Sequence, residues 1–273
     1  MFVTRFAPSP TGFLHRGHAL SALTAHAAAR EADGRFLLRI EDIDATRCRP
    51  AFETALLEDL AWLGLDWETP VRRQSDHFDD YHAALSRLVA DGLLYRCFRT
   101  RREVSQAMAS APHGDMEVIT GGPLTTADEA RHLADGEPFA WRLSLEAARK
   151  LIGFTPLTFT DNAVPVTARP ELGGDVVLAR KDVGVAYHLA VVVDDALQGV
   201  THVIRGEDLR DATHVQRLLQ ALLRLPTPSY RHHPLLRDTA GRKLSKRDRA
   251  ETLRSLRERG MSGADLRGEM GFD

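Results

Sequence analysis

Over residues 2–18 a short apolar segment runs into two prolines and then into a pair of histidines, a succession that restricts the fold more than any other part of the chain. Residues 2–6 read as a short strand, Pro8 and Pro10 force an extended turn, and Gly17-His18 opens an Ala- and Leu-rich run that lasts to Asp33-Gly34. A strand that turns directly into a helix is the start of an α/β unit. His15 and His18 are three residues apart. In the first turn of that helix both imidazoles face one side, next to amide N–H groups without an intrahelical partner and at the positive end of the helix dipole. Phosphate binds at such ends. Two histidines exposed by chance at a helix start would not account for the Pro-Ser-Pro-Thr-Gly turn, which brings Ser9, Thr11 and Gly12 to the same place.

The alternation continues. Phe36, Leu37, Leu38 and Ile40 make residues 35–40 too continuously apolar for a strand with one wet face, so a buried parallel strand is expected. It ends in Glu41-Asp42-Ile43-Asp44, placing carboxylates at a strand's carboxyl end, where open α/β sheets bind ligands. Glu41 is suited to an ammonium group, whereas Asp42 and Asp44 fit a solvated acidic turn equally well. Residues 47–64 predict a helix with Pro50 in its first turn, Phe52, Leu56, Leu60 and Leu63 on one face and Gly64 as its stop. Residues 79–91 repeat the scheme, with Tyr81, Leu85, Leu88 and Val89 inward.

From residue 95 to 173 the pattern breaks down. Helices are expected at 99–108 and 125–133, a Gly- and Pro-rich loop at 113–123, and short strands at 139–143 and 157–160. Arg96, Arg99, Arg101 and Arg102 form either a solvated face or a contact for a phosphate backbone. Strands follow at 175–178, at 187–193 ahead of Asp194-Asp195, and at 200–204, the last delivering Arg205 directly before a helix faced by Leu209, Ala212, Val215, Leu218, Leu219 and Leu222. Arg205 then shares a sheet edge with Arg5 and Glu41. Two guanidinium groups and one carboxylate suit an amino acid with two carboxylates and one ammonium, that is, glutamate or aspartate. Tyr187 taken alone is ordinary strand packing.

Lysine is scarce: of 36 basic residues only Lys150, Lys181, Lys243 and Lys246 are not arginine. Two of these fall in Gly-Arg-Lys-Leu-Ser-Lys-Arg, where a compact ammonium charge suits a phosphoryl group and a basic surface loop is the plain alternative. Residues 249–259 allow one more helix, with Gly260 as its stop. A net charge of −2 offers nucleic acid no global attraction, so any RNA contact needs a local basic face. Cys48 and Cys97 are too few for a disulfide framework, and no leader or membrane-spanning apolar run is evident, so a soluble cytoplasmic protein is expected.

The stretch R-F-A-P-S-P-T-G-F-L-H-R-G-H resembles the first signature of class I aminoacyl-tRNA synthetases in its glutamyl and glutaminyl form, and K-L-S-K-R resembles the second, in the right order. Matches at R-I-E-D-I-D, A-Y-H-L-A-V-V-V-D-D and V-I-R-G-E-D-L extend the resemblance over nearly the whole chain. It implies an α/β fold: a Rossmann-like doubly wound parallel sheet with an inserted α+β subdomain and a short, mostly helical C-terminal extension. Residues 1–94 and 174–225 would be the two halves of the catalytic domain, 95–173 the RNA-facing insertion and 226–273 the extension with the K-L-S-K-R loop, without an anticodon-binding domain.

The resemblance assigns glutamate to Arg5, Ala7, Ser9, Glu41, Tyr187 and Arg205. ATP, with Mg²⁺ on its phosphates, goes to Pro10, Thr11, His15, Gly17, His18 and Lys246, and His15, His18, Lys243 and Lys246 act in catalysis. Members of the family often hold zinc through a C-x-C pair, a tyrosine and a further cysteine. Here Cys97-Phe98-Arg99 is followed by no cysteine, and Cys97 with distant His113 gives at most two of about four ligands, so the zinc site is read as lost and no metal ligands are expected. Short relatives attach glutamate to queuosine in the anticodon of tRNA(Asp). The expected partners are therefore L-glutamate, ATP and tRNA(Asp) carrying queuosine, for a monomer that does not bind membranes. A truncated glutamyl-tRNA synthetase charging a tRNA 3′ end, another H-x-G-H nucleotidyltransferase and a non-catalytic RNA-binding paralogue are the alternatives.

Overall fold

The computed structural model describes residues 1–99, 122–153, 155–180, 184–236 and 251–272. In chain order these form β1 (Val3–Phe6), α1 (Arg16–Glu31), β2 (Arg35–Ile40), α2 (Pro50–Trp62), β3 (Glu68–Arg73) and α3 (Phe78–Ala90). Next come β4 (Leu94–Cys97), α4 (Thr126–Ala134), β5 (Ala140–Leu143), α5 (Leu145–Ile152), β6 (Thr158–Asp161), β7 (Val164–Thr167), β8 (Val177–Arg180) and β9 (Gly184–Val185). The chain continues through α6 (Tyr187–Leu197), β10 (His202–Gly206), α7 (Arg210–Leu223), β11 (Ser229–His233), α8 (Leu253–Glu258) and α9 (Gly263–Glu269).

β1, β2 and β3 pair in parallel, with Arg5 opposite Leu37 and Ile40 opposite Arg73. β10 and β11 also pair in parallel, Arg205 opposite His232, and β6 joins β11 at Tyr230, with β7 antiparallel to it. Thr201 sews the two groups together: its N–H donates to the Val3 carbonyl and its Oγ1 accepts from the Val3 N–H, both at 2.9 Å. The order across is thus β3, β2, β1, β10, β11, β6, β7. The first strands are laid down to one side of β1 and the later ones to the other, which makes the gap between the carboxyl ends of β1 and β10 the switch point where such sheets bind ligands. A separate antiparallel sheet, β4-β5-β8-β9, stands beside this edge.

Small residues explain how closely α1 packs: Ala19, Ala22, Ala25 and Ala29 are buried against the sheet with Phe6, Leu38 and Ile40. Leu253, Leu256 and Leu266 of the C-terminal helices join the same core. A second core lies among α3, α6 and α7, built from Tyr81, Leu88, Leu189, Val193, Leu218 and Leu222.

Several expectations need correction. Residues 187–193 are not a strand: α6 runs from Tyr187 to Leu197, with every residue from Leu189 to Asp195 buried. A short, wholly apolar run has no period, so it reads equally as a buried strand or a buried helix. The C-terminal segment holds two short helices instead of one, the second started by a capping box between Ser262 and Asp265. β3 and β11 escaped notice because Glu-Thr-Pro-Val-Arg-Arg and Ser-Tyr-Arg-His-His are mostly polar. The helix expected at 99–108 and most of the loop at 113–123, with Arg101, Arg102 and His113, lie outside the described residues. Among the described residues no helix is long and apolar enough to cross a membrane.

On the inner face of α2, Asp59 is fully buried, and neither carboxylate oxygen has a hydrogen-bond partner among the described residues. Its nearest countercharge is Arg257 of α8, 3.6 Å away. Burial pushes its pKa up to about 6, against the weaker pull of Arg257. The folded carboxyl thus titrates above its unfolded value, so stability falls as pH rises through about 4 to 6 and stays reduced above that. Asp59→Asn is therefore expected to raise the melting temperature at pH 7.5 and to leave it unchanged near pH 4. A lower Tm at pH 7.5 would mean that the attraction to Arg257 outweighs the cost of burial.

Candidate active site

His15 is the N-cap of α1, in extended conformation. Its Nδ1 accepts from the Gly17 N–H at 3.1 Å, and its own N–H donates to Nδ1 of His18 at 3.1 Å. Two imidazoles thus play the parts that Ser and Glu usually take in a capping box. An Nδ1 that accepts must be bare, so each ring carries its proton on Nε2. The ring centroids are 3.9 Å apart. A Cβ on Gly17 would sit 3.0 Å from His15 Cε1, so a side chain there would push the ring out of place.

This helix end opens into a cavity of about 540 Å³ lined by Arg5, Ala7, Ser9, His15, Gly17, His18, Glu41, Tyr187 and Arg205. Every residue expected to hold glutamate is present there, together with the His-x-Gly-His turn. Thr11 instead lines a neighbouring cavity of about 600 Å³, which shares Ser9, Glu41 and Tyr187 with the first and extends to Arg47, Arg99, Arg142 and Arg180. Pro10 is buried and lines neither. Lys243 and Lys246 lie outside the described residues. The chain approaches them from Leu236, on the cavity wall, and Thr252 beyond them bridges to His15, with the Leu253 N–H donating to the Leu14 carbonyl at 2.8 Å.

Below the cavity floor lies a buried ion network. Asp195 accepts from Arg5 Nε at 3.0 Å and from Arg39 Nη1 at 2.8 Å. Arg39, fully buried, also donates to Glu41 Oε1 at 3.2 Å. Asp194 accepts from Arg72, Gln74 and Tyr81. Burial alone would raise Asp195, but Arg5 and Arg39 reverse this and hold its carboxyl below the ordinary range. Glu41 goes the other way: burial pushes it up in spite of Arg39 and Arg5. A ligand ammonium would add to the positive charge of Arg39 and Arg5 and so favour the ionised form of Glu41. At the far wall, Arg205 Nη1 donates to the Tyr187 hydroxyl at 3.3 Å.

Asp42 and Asp44 serve the turn. Asp42 accepts from Ser75, and Asp44 from Thr46 and Arg47, which hold its pKa down to about 2. Cys97 ends β4, and among the described residues no three His, Cys, Asp or Glu side chains come together as a metal requires.

The family model for the catalytic domain of class I tRNA synthetases of the glutamate and glutamine type matches residues 1–264. The chain belongs to that family. It is 48% identical to the glutamyl-Q tRNA(Asp) synthetase of Rhodobacter capsulatus, over 99% of this chain and 100% of the relative. To the glutamate–tRNA ligase of Aquifex aeolicus it is 39% identical, over 94% of this chain and 54% of the ligase. The crystal structure of glutamate-tRNA synthetase from Elizabethkingia anophelis superposes with a TM-score of 0.76 at 27% identity, covering 95% of this chain and 54% of that one. The chain thus spans about half the length of the glutamate–tRNA ligases it matches.

For a class I synthetase, the residues that sequence reasoning missed are those behind the ligand-facing ones. Arg39, Asp194, Asp195, Asp161 and His232 are all buried and touch a cavity residue or its partner. A signal was present: Arg39 interrupts an apolar strand, and Asp194-Asp195 closes an apolar run. Charges in such places are paired or they do not persist.

Proposed function

We propose that the chain activates L-glutamate with ATP to glutamyl-adenylate, without needing tRNA, and then transfers the glutamate to the queuosine nucleoside in the anticodon of tRNA(Asp). The observation that carries this reading is the meeting of Arg5, Arg205 and Glu41 in one cavity with the N-terminus of α1. Arg5 and Arg205 receive the two carboxylates and Glu41 the ammonium. The α1 end, with the Nε2–H groups of His15 and His18, faces the nucleotide phosphates. Gly17, bare where a Cβ would displace His15, fits a phosphate-bearing ligand at that turn.

An α-carboxylate oxygen of glutamate attacks the α-phosphorus of ATP, the bond to the bridging oxygen breaks, and pyrophosphate leaves. The two histidines and Lys246 meet the charge that moves onto the leaving group; removing one such donor typically costs ~10²–10³ in rate. Mg²⁺ on the phosphates supplies further charge neutralisation when ATP is bound. In the second step a hydroxyl of the acceptor attacks the acyl carbon and AMP leaves. The second cavity, sharing Ser9, Glu41 and Tyr187 with the first, is where that hydroxyl approaches.

Pyrophosphate exchange tests the first step. Glutamate is expected to support exchange with no tRNA present, because the cavity residues are in place without RNA. Glutamine, which leaves one guanidinium without its carboxylate, and aspartate, shorter by one methylene, should each fall roughly 10²-fold or more in kcat/KM. Exchange that begins only on adding tRNA would overturn the reading of a preformed site.

A further inference from the structure

Arg205 is held from behind by neighbouring groups of the protein. Its Nη2 donates to Thr213 Oγ1 at 2.7 Å, to Gln216 Oε1 at 2.8 Å and to the Leu209 carbonyl at 3.2 Å. Its Nε–H donates to Nε2 of His232 at 3.3 Å, with His232 directly opposite it on β11. Only Nη1, beside the Tyr187 hydroxyl, is left to face the cavity. The direction of Nη1 is therefore set by what Nε and Nη2 meet.

Because Nε2 of His232 accepts, the imidazole proton is on Nδ1, which donates to Asp161 Oδ1 at 2.9 Å. Asp161 is fixed in turn: it accepts from the His232 backbone N–H at 3.3 Å and lies 3.3 Å from Arg210 Nε on α7. Tyr230 lies parallel to the His232 ring and under the Arg205 guanidinium. The result is a relay across four elements, from Arg210 on α7 through Asp161 on β6 and His232 on β11 to Arg205 on β10.

We infer that His232, oriented by Asp161, is a positioning residue for Arg205, and that it does this only as the neutral imidazole, so that glutamate affinity falls when it is protonated. The inference deepens the glutamate assignment and rests on Arg205 receiving a substrate carboxylate. Protonation would put an N–H where Nε2 now accepts, cancelling the bond and setting two cations about 3 Å apart, a repulsion that low-dielectric surroundings magnify. The charged groups facing His232 are Arg205 on β10, Asp161 on β6 and, beyond Asp161, Arg210 on α7; Tyr187 and His188 of α6 lie on the other side of Arg205. Burial, and after it Arg205, lowers the His232 pKa below its ordinary value, with Asp161 opposing. The His232 ring is therefore neutral at pH 7 and above, and the bond it accepts from Arg205 is lost on acidification.

The test is glutamate-dependent pyrophosphate exchange from pH 5 to 8, with KM measured separately for glutamate and ATP. In the wild type, KM for glutamate should be flat above pH 7 and rise on acidification below pH 6.5, while KM for ATP stays level. His232→Leu, which has no acceptor for Nε–H, should raise KM for glutamate at least tenfold at pH 7.5 and change KM for ATP less than twofold. His232→Gln keeps an acceptor that cannot titrate, so it should recover most of the lost affinity and cut the rise at low pH to the part contributed by Glu41, whose carboxyl burial also pushes up. If His232→Leu fails to fold, the pH profile of His232→Gln decides alone. The inference is overturned if His232→Leu leaves KM for glutamate within twofold of wild type, or if His232→Gln keeps the whole of the wild-type rise at low pH. Arg205→Ala separates the two levels. If it raises KM for glutamate while His232→Leu does not, only the positioning role falls; if Arg205→Ala itself leaves that KM unchanged, the substrate role of Arg205 falls too.

Discussion

Asp195→Ala should destabilise the folded chain by about 3–5 kcal/mol, the usual penalty for breaking a buried ion pair by removing one partner. Breaking an exposed pair in the same chain, such as Lys150 with Glu146 one turn away on α5, would cost far less, because water solvates whichever charge is left. The difference comes from what is left behind. Arg39 is fully buried and Arg5 only 4% exposed, and Asp195 is the carboxylate that both touch. Without it, Arg39 keeps Glu41 and a 3.5 Å approach to Asp194, while Arg5 has no other ion pair within reach among the described residues. Denaturant unfolding measures the loss. Asp195→Asn, which keeps the shape and one acceptor oxygen but removes the charge, should lose less stability and still weaken glutamate binding, because Arg5 would no longer be anchored. A cost below about 1 kcal/mol for Asp195→Ala would mean that water or a shift of Arg5 relieves the stranded charges.

That network shows where sequence reading stops. β1, α1 and β2 were legible because each has a strong local signal: a proline turn, an alanine-rich amphipathic run, a strand of continuous apolar residues. Arg5, Glu41 and Arg205 were legible for a related reason, since each follows or ends such a strand and must emerge at the same sheet edge. The partners of Arg5 and Arg39 were not, because Asp195 is 190 and 156 residues away and sits on a helix that reads as a strand. β11 was hidden by its polarity. Tyr230 and His232 are buried because Gln220, Asp161 and Arg205 satisfy their polar atoms, and those partners come from other elements. Polar residues whose partners are non-local look like loop when read alone.

Labelled glutamate should go to tRNA(Asp) carrying queuosine, and transfer to tRNA(Asp) with guanosine in its place should fall to background. The expected effect is this large because the chemistry is all or none. Acyl transfer needs an oxygen nucleophile held about 3–3.5 Å from the carbonyl carbon. Queuosine carries a diol on the ring attached to its base, and guanine carries no hydroxyl. A nucleoside lacking that ring places no oxygen at the end of its base, so no change in affinity can compensate. The cavity of about 600 Å³ beside the one lined by Arg5, Glu41 and Arg205 has the room for an unstacked base, which is the part of RNA that proteins read most specifically. Arg47, Arg99, Arg142 and Arg180 on its wall suit the flanking phosphates, a local basic face on a chain whose net charge is −2. Raising salt should therefore weaken transfer to tRNA more than it weakens pyrophosphate exchange, since only transfer needs the polyanion. Equal labelling of both forms of tRNA(Asp) would shift the acceptor to a ribose hydroxyl, and labelling of tRNA(Glu) would make the activity that of the glutamate–tRNA ligases to which the chain is also similar.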